Sequence, residues 1–208
     1  MKILIVDDHE LVRGGLVRII AEEYPEAKIF EASNGSMAER IARNEKLDII
    51  LMDLSMPDKT GLEVLKQLRV ESIKTPVLII SIHPENQYAL RVLKASGNGY
   101  ITKDAPRAEF VHAVQVVVSG KKYISSSVAE KLAMRFDDDV TKEQHELVSD
   151  RELEVLKFIA SGKTVSEIAN ELSLSVATIS TYRSRLLEKM NMKNNAELTF
   201  YAINNGLV

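Results

Sequence analysis

The sequence predicts an α/β domain, a five-stranded parallel sheet with helices on both faces, followed by a small all-α domain of four helices. Through the first 120 residues, short β-rich runs alternate five times with segments of helical spacing, the pattern of βαβ units. From residue 148 onward every apolar repeat is helical. Between the two, over residues 121–147, neither pattern continues.

The β-rich runs lie at residues 3–6, 27–31, 49–52, 77–80 and 99–101, and the helical segments at 11–22, 36–44, 62–69, 87–95 and 108–118. The central runs, such as Ile49-Ile50-Leu51-Met52, are continuously apolar, as strands covered on both faces are. In the intervening stretch a candidate short helix at 127–135 precedes Phe136-Asp137-Asp138-Asp139-Val140-Thr141-Lys142-Glu143, an acidic run without apolar period. That composition predicts a solvated linker. Ser149 with Glu152 three residues on forms a capping box, Leu153, Val155, Leu156 and Ile159 supply an apolar face, and Gly162 ends that helix. A short helix at 164–172, the turn Ser173-Leu174-Ser175, a longer helix at 176–190 and a last one at 196–204 follow, closed by Gly206. A short helix, a three-residue turn and a longer helix have the spacing of a helix-turn-helix.

Bulk properties narrow the function. A length of 208 residues suits one or two domains, and 45% hydrophobic content suffices for packed cores. No run approaches the length of a membrane span, and Met1-Lys2 before four apolar residues is not a signal peptide, so the cytoplasm is the expected location and no membrane partner is expected. The absence of cysteine excludes disulfides, iron–sulfur clusters and thiolate zinc sites. With a net charge of −3 there is no global basic field, so any contact with nucleic acid must come from a local surface.

The chemistry concentrates at strand ends. Asp7-Asp8 follow the first run, Asp53 ends the third, Ser81 follows the fourth and Lys103 follows the fifth. Ligands of open parallel sheets bind beyond the carboxyl ends of the strands, at a switch in strand order. Asp8 also suits the N-cap of the next helix, and Ser81 could cap the helix after it. Capping does not account for a third carboxylate at Asp53. Three crowded carboxylates repel one another unless a cation joins them, and Mg²⁺, a hard ion content with few protein ligands, is the natural occupant of Asp7, Asp8 and Asp53.

These residues carry a resemblance. Asp7-Asp8, the stretch Asp53-Leu54-Ser55-Met56-Pro57-Asp58-Lys59-Thr60-Gly61, Ser81 and Tyr100-Ile101-Thr102-Lys103 resemble a response-regulator receiver domain, which is flavodoxin-like. Ser149-Asp150-Arg151-Glu152, Glu167-Ile168-Ala169 and residues 175–182 resemble a LuxR-type helix-turn-helix. The whole chain thus resembles a NarL/FixJ-family two-component response regulator, with a receiver over residues 1–120, a linker over 121–147 and a DNA-binding domain over 148–208. The resemblance implies a regulator of transcription rather than an enzyme. Asp53 would be the phosphoacceptor for a sensor histidine kinase, with Asp7 and Asp8 holding Mg²⁺. Ser81 takes the hydroxyl position, Tyr100 the aromatic switch and Lys103 the phosphate-pairing position. On phosphorylation Ser81 would be drawn in, vacating space that Tyr100 fills. Ser96-Gly97 stands where Gly-Ala is common. A phosphatase of the haloacid dehalogenase type needs a second carboxylate two positions after the nucleophile, where this chain has Ser55. A flavin site needs a Ser/Thr/Gly-rich loop after the first strand, where Glu10-Leu11-Val12-Arg13 stands.

In residues 148–208, seven cationic side chains balance seven acidic ones, so a four-helix packing module without a DNA role is a real alternative. The cations Arg183, Arg185, Lys189 and Lys193 nevertheless cluster, with only Glu188 among them. On the helix at 176–190, Val176, Ile179, Leu186, Leu187 and Met190 point inward with Tyr182 beside them, and Ala177, Ser180, Thr181, Ser184 and Glu188 point outward. The predicted DNA-contacting residues are Thr178, Ser180, Thr181, Arg183, Ser184, Arg185 and Lys189, the small hydroxyl residues entering a major groove and the arginines reaching phosphates. Many family members carry lysine at the position of Ser180 and histidine at that of Tyr182. Low local charge predicts weak monomer binding and therefore a phosphorylation-favoured homodimer on adjacent half-sites; the last helix, with Leu198, Phe200, Tyr201, Ile203 and Leu207, is a candidate contact surface, with packing of the domain's own core as its competing role. The competing class is a phosphotransfer or protein–protein adaptor that does not bind DNA.

Overall fold

The computed structural model describes residues 1–126, 128–130 and 144–208. The chain divides into two compact units, one running to Asp137 and the other starting at Asp138. Among the described residues, no helix is long and apolar enough to cross a membrane.

In the first unit, strands β1 (Lys2–Val6), β2 (Lys28–Ala32), β3 (Ile49–Asp53), β4 (Val77–Ser81) and β5 (Gly99–Thr102) alternate with helices α1 (Glu10–Glu23), α2 (Gly35–Asn44), α3 (Gly61–Val70), α4 (Glu85–Lys94) and α5 (Arg107–Val118). Every pairing is parallel, in the order β2-β1-β3-β4-β5. Alternate side chains divide the core. Ile3, Ile5, Ile49, Leu51, Leu78 and Ile80 pack with Ile20 of α1 and with Phe110, Ala113, Val114 and Val117 of α5. Leu4, Val6, Ile50 and Met52 point to the opposite face, where α2 packs on β1 and β2 and α4 on β5. Because β1 lies between β2 and β3, strand order reverses there and opens a crevice at the carboxyl ends of β1 and β3.

Local chemistry explains the element ends. Asn34 caps α2, and Thr60 with Glu63 forms a capping box on α3. Asp8 is not a cap: His9 takes the N-cap position of α1 without a side-chain bond, because Asp7 Oδ1 accepts the His9 N–H at 2.8 Å instead. Ser81 does not cap α4 either, since Pro84, with φ −58, sets the start of that helix. Ser96 ends α4 in a Schellman turn: the Gly97 N–H donates to the Val92 carbonyl at 2.9 Å and the Ser96 N–H to that of Leu93 at 3.1 Å. Ser96 itself is left-handed, with φ 62. This gives the departure at Ser96 a physical meaning, for glycine adopts that conformation without a Cβ penalty. Ser96→Gly is expected to raise unfolding stability by about 0.5–1 kcal/mol, read by urea denaturation.

The stretch expected to be a spacer begins attached. Tyr123 pairs with Gly99 beside β5, its N–H donates to the Asn98 carbonyl at 2.8 Å, and the Ser125 hydroxyl donates to Glu85 at 2.6 Å. Residues 126 and 128–130 are helical. The rest of the helix expected at 127–135, and the acidic run at 136–143, lie outside the described residues.

The second unit has a 3-10 turn (Gln144–Glu146) and helices α6 (Asp150–Ala160), α7 (Val165–Glu171), α8 (Val176–Lys189) and α9 (Asn195–Asn204). The capping box expected at Ser149 and Glu152 forms in both directions, and Gly162 and Gly206 adopt the positive φ expected of helix-ending glycines. Leu153, Leu156, Ile168, Ile179, Leu186, Leu198 and Ala202 are buried, with α6 packed on α8 and α9. Val176, expected to point inward, is 50% exposed, whereas Ile179 three positions on is fully buried.

Candidate functional site

Parallel register builds the site. Val6 pairs with Met52 and Asp53 with Ile80, so the residues that follow β1 meet the end of β3; Ser81 pairs with Thr102, which sets Lys103 at the same edge. Lys103 Nζ lies 2.8 Å from Asp53 Oδ2 and 2.8 Å from Asp7 Oδ2. One ligand atom from each of Asp7, Asp8, His9 and Asp53 lies within 4.8 Å of the others. Asp7 is fully buried and Asp53 is 4% exposed. Burial pushes the Asp53 carboxyl up to about 6; Lys103 opposes this and the charge of Asp7 adds to it. Burial would lower the Lys103 ammonium, but Asp53 and Asp7 together hold it above the ordinary lysine range.

Three carboxylates therefore face one ammonium. Asp7 Oδ2 and Asp8 Oδ1 are buried and accept no well-directed hydrogen bond, although Lys103 Nζ and His9 Nδ1 stand 2.8 and 3.0 Å from them. Buried acceptors with excess negative charge and oxygen donors fit a hard divalent cation.

The loop after Asp53 is tied down on both sides. Asp58 accepts the Gly35 N–H at 3.0 Å, the Ser36 N–H at 2.9 Å and the Ser36 hydroxyl at 2.8 Å, fastening the loop to the start of α2. Burial opposes ionisation of Asp58, yet these donors hold its carboxyl below the usual range. Gly61 donates to the Leu54 carbonyl at 2.7 Å, and a Cβ there would stand 2.1 Å from the Asp53 carbonyl oxygen. Ser81 is fully buried, its Oγ accepting the His83 N–H at 3.1 Å. Tyr100, 2% exposed, already lies inside, its hydroxyl donating to the His83 carbonyl at 2.8 Å.

On α8, Ser180, Thr181, Ser184 and Arg185 are exposed and Thr178 is half-buried. The hydroxyls are parked on the helix's own backbone: Thr181 donates to the Ala177 carbonyl and Ser184 to that of Ser180, each at 3.0 Å, while Thr178 meets Ser175 Oγ at 2.8 Å. Two predicted cations are engaged internally. Lys189 Nζ lies 2.7 Å from Glu152, and Arg183 Nε donates to Asn195 at 2.6 Å. Arg185 forms no ion pair among the described residues.

Residues 3–115 match the response regulator receiver domain and residues 146–202 match the luxR family of bacterial regulatory proteins. The chain is 36% identical over 208 residues to the response regulator UvrY of Escherichia coli K12, covering all of this chain and 95% of that protein. It is 34% identical over 209 residues to the response regulator GacA of Pseudomonas syringae pv. syringae, covering 100% and 98%. The chain is a two-component response regulator with a LuxR-type DNA-binding domain. As a member of that family it is a regulator and not an enzyme. The fold also matches RcsB of Salmonella enterica serovar Typhimurium bound to promoter rprA with phosphomimetic BeF3−, with a TM-score of 0.63 and 23% identity over 97% of this chain and 98% of that one. Two RcsB dimers have also been seen on two parallel DNAs.

Within this response regulator, the structure brings Asp7, Asp8, Asp53 and Lys103 together, with Ser81 and Tyr100 joined through His83. Sequence reasoning passed over His9, Asp58 and His83. A signal for His83 was present: it stands two residues after Ser81 as Ser55 stands two after Asp53, and loops leaving adjacent parallel strands at equal offsets meet.

Proposed function

We propose that a sensor histidine kinase phosphorylates this response regulator on Asp53 and that the modification controls DNA binding by a homodimer in the cytoplasm. In this reading residues 1–120 are the phosphoacceptor domain, 121–147 the linker and 148–208 the DNA-binding domain. The observation that carries the reading is the meeting of Lys103 Nζ with both Asp53 and Asp7 at 2.8 Å beside the acidic cluster.

Asp7, Asp8 and Asp53 would hold Mg²⁺, which when bound neutralises the oxygens of the incoming phosphoryl group. An Asp53 oxygen attacks phosphorus as the bond from phosphorus to the kinase histidine breaks. Lys103, already between Asp53 and Asp7, moves its charge onto the phosphoryl oxygens. Ser81 then donates its hydroxyl to the phosphoryl and gives up its bond with the His83 N–H, which loosens the contact holding the Tyr100 hydroxyl. Moving the switch from about 1% to 99% active takes about 5.5 kcal/mol, within reach of several charge-assisted hydrogen bonds.

The exposed face of α8 supports DNA contact through Ser180, Thr181, Ser184 and Arg185, with Thr178 at its edge. Arg183 and Lys189 serve first as internal braces. A mobility-shift titration against random-sequence DNA at two salt concentrations tests this. Retention that weakens with salt is expected, and an adaptor would show none. Arg185→Ala should lower affinity and cut the salt slope by about 1 per protomer. Lys189→Ala should change the slope less than Arg185→Ala does, while lowering the melting temperature through loss of the Glu152 pair.

A further inference from the structure

His9 has no part in the switch, yet its ring faces the acidic cluster. Its backbone N–H donates to Asp7 Oδ1 at 2.8 Å, and its side chain makes no capping bond at the start of α1. The imidazole is 68% exposed, with Nδ1 3.0 Å from Asp8 Oδ1 and 3.6 Å from Asp7 Oδ1. Four ligands of a tetrahedral ion with bonds of about 2.0–2.1 Å stand about 3.3–3.4 Å apart. The two Nδ1 separations bracket that spacing. One atom from each of Asp7, Asp8, His9 and Asp53 lies within 4.8 Å of the others, so side-chain rotation completes the set. The charge fits as well. Three carboxylates and the Lys103 ammonium sum to −2, which one divalent ion and a neutral imidazole bring to zero. The buried Asp7 Oδ2 and Asp8 Oδ1, which accept no well-directed hydrogen bond, are oxygens such an ion would satisfy.

Three oxygens and one imidazole nitrogen differ from the all-oxygen set that suits Mg²⁺. Among the ions that favour imidazole, copper(II) and nickel(II) lean to square arrangements, whereas Zn²⁺ takes the tetrahedral one. We propose that Asp7, Asp8, His9 and Asp53 form a Zn²⁺ site that closes the phosphorylation pocket. His9 Nδ1 gives its lone pair to the ion, and the ring keeps its proton on Nε2. With four protein ligands Zn²⁺ has no open position for a phosphoryl oxygen, and the Asp53 oxygen bonded to it no longer attacks phosphorus. Mg²⁺, held by the three carboxylates, keeps water positions that a phosphoryl oxygen can take. The block of phosphorylation rests on Asp53 as the phosphoacceptor; the metal site itself does not.

The full-length protein, stripped of metal by a chelator, is titrated with Zn²⁺ and Mg²⁺ by calorimetry and with Co²⁺ by visible absorption. It is also labelled from radiolabelled acetyl phosphate with Mg²⁺. Wild type should show the intense absorption of tetrahedral Co²⁺, and Zn²⁺ in slight excess over protein should abolish labelling. His9→Gln should lose that absorption. It should also lower the ratio of Zn²⁺ to Mg²⁺ affinity at least about tenfold and need at least about tenfold more Zn²⁺ to block labelling, as should His9→Ala. Equal Zn²⁺ affinity in wild type and both variants means an adventitious ion only, held by another histidine, and overturns the inference. So does an equal fall in Zn²⁺ and Mg²⁺ affinity, because His9 would then only hold the cluster in place. A weak octahedral Co²⁺ absorption in wild type, or labelling that continues with Zn²⁺ bound through His9, overturns the closure of the pocket. Failure of wild type to take up label with Mg²⁺ alone overturns the phosphoacceptor reading instead, and the Co²⁺ absorption still judges the metal site.

Discussion

Asp53→Asn takes up no phosphoryl group from acetyl phosphate and Mg²⁺, whereas wild type does: this is the expected result of replacing the nucleophilic carboxylate by an amide of the same shape. Persistent label in the variant would overturn the assignment of Asp53. The same substitution has an opposite effect on stability. The Asp53 carboxyl has its ordinary value of 3.8 raised to about 6, mainly by burial, so the folded protein binds that proton more tightly than the unfolded chain. The stability this provides is fully present below pH 4 and is lost as pH rises through about 6. In the metal-free protein at pH 7, the ionised Asp53 costs on the order of 2–3 kcal/mol, at 1.36 kcal/mol per unit. Metal-free Asp53→Asn should therefore be more stable than metal-free wild type at pH 7 and close to it at pH 4, as read by urea denaturation. Mg²⁺ should narrow the gap at pH 7 by stabilising wild type, whose third carboxylate the variant lacks.

Gly61→Ala is expected to cost at least about 3 kcal/mol, because no relaxation open to it is cheap. The added methyl would meet the Asp53 carbonyl oxygen at 2.1 Å and the Leu54 Cα at 3.2 Å, both backbone atoms at the end of β3. Moving Gly61 outward breaks its 2.7 Å bond to the Leu54 carbonyl. Moving Asp53 displaces the carboxylate from Lys103. The melting temperature should fall by about 10 °C or more, and whatever folded protein remains should label slowly. Gly14→Ala is a control: nothing lies within 4 Å of a Cβ at that position of α1, and stability should rise by up to about 1 kcal/mol. A Gly61→Ala protein that melts and labels like wild type would show that the loop carries no such constraint.

The two effects differ in how far the sequence announces them. Asp53 is visible because carboxylates at the ends of apolar runs have few structural uses. Gly61 is visible only as one residue of a motif, since the collision that makes it necessary involves a backbone atom eight positions earlier. The cations of α8 teach the same lesson. Spacing places Arg183, Arg185 and Lys189 on one helix, but not which is committed elsewhere. Lys189 meets Glu152, 37 positions away, and Arg183 meets Asn195. The fate of Val176 is similar, since helical period assigns a face without saying how far along the helix the packing extends.

By itself the sequence determined the alternation of strands and helices, the helix-turn-helix spacing and the residues crowding one sheet edge. Each of these follows from local periodicity and from strand ends that line up once the sheet is parallel. Only the tertiary structure decided that Ser55 meets His83, that Tyr100 is already inside, that Asp58 holds the start of α2 and that Lys189 is occupied. Those are contacts between residues distant in the chain, and their partners are chosen by distances of a few ångströms that no one-dimensional pattern encodes.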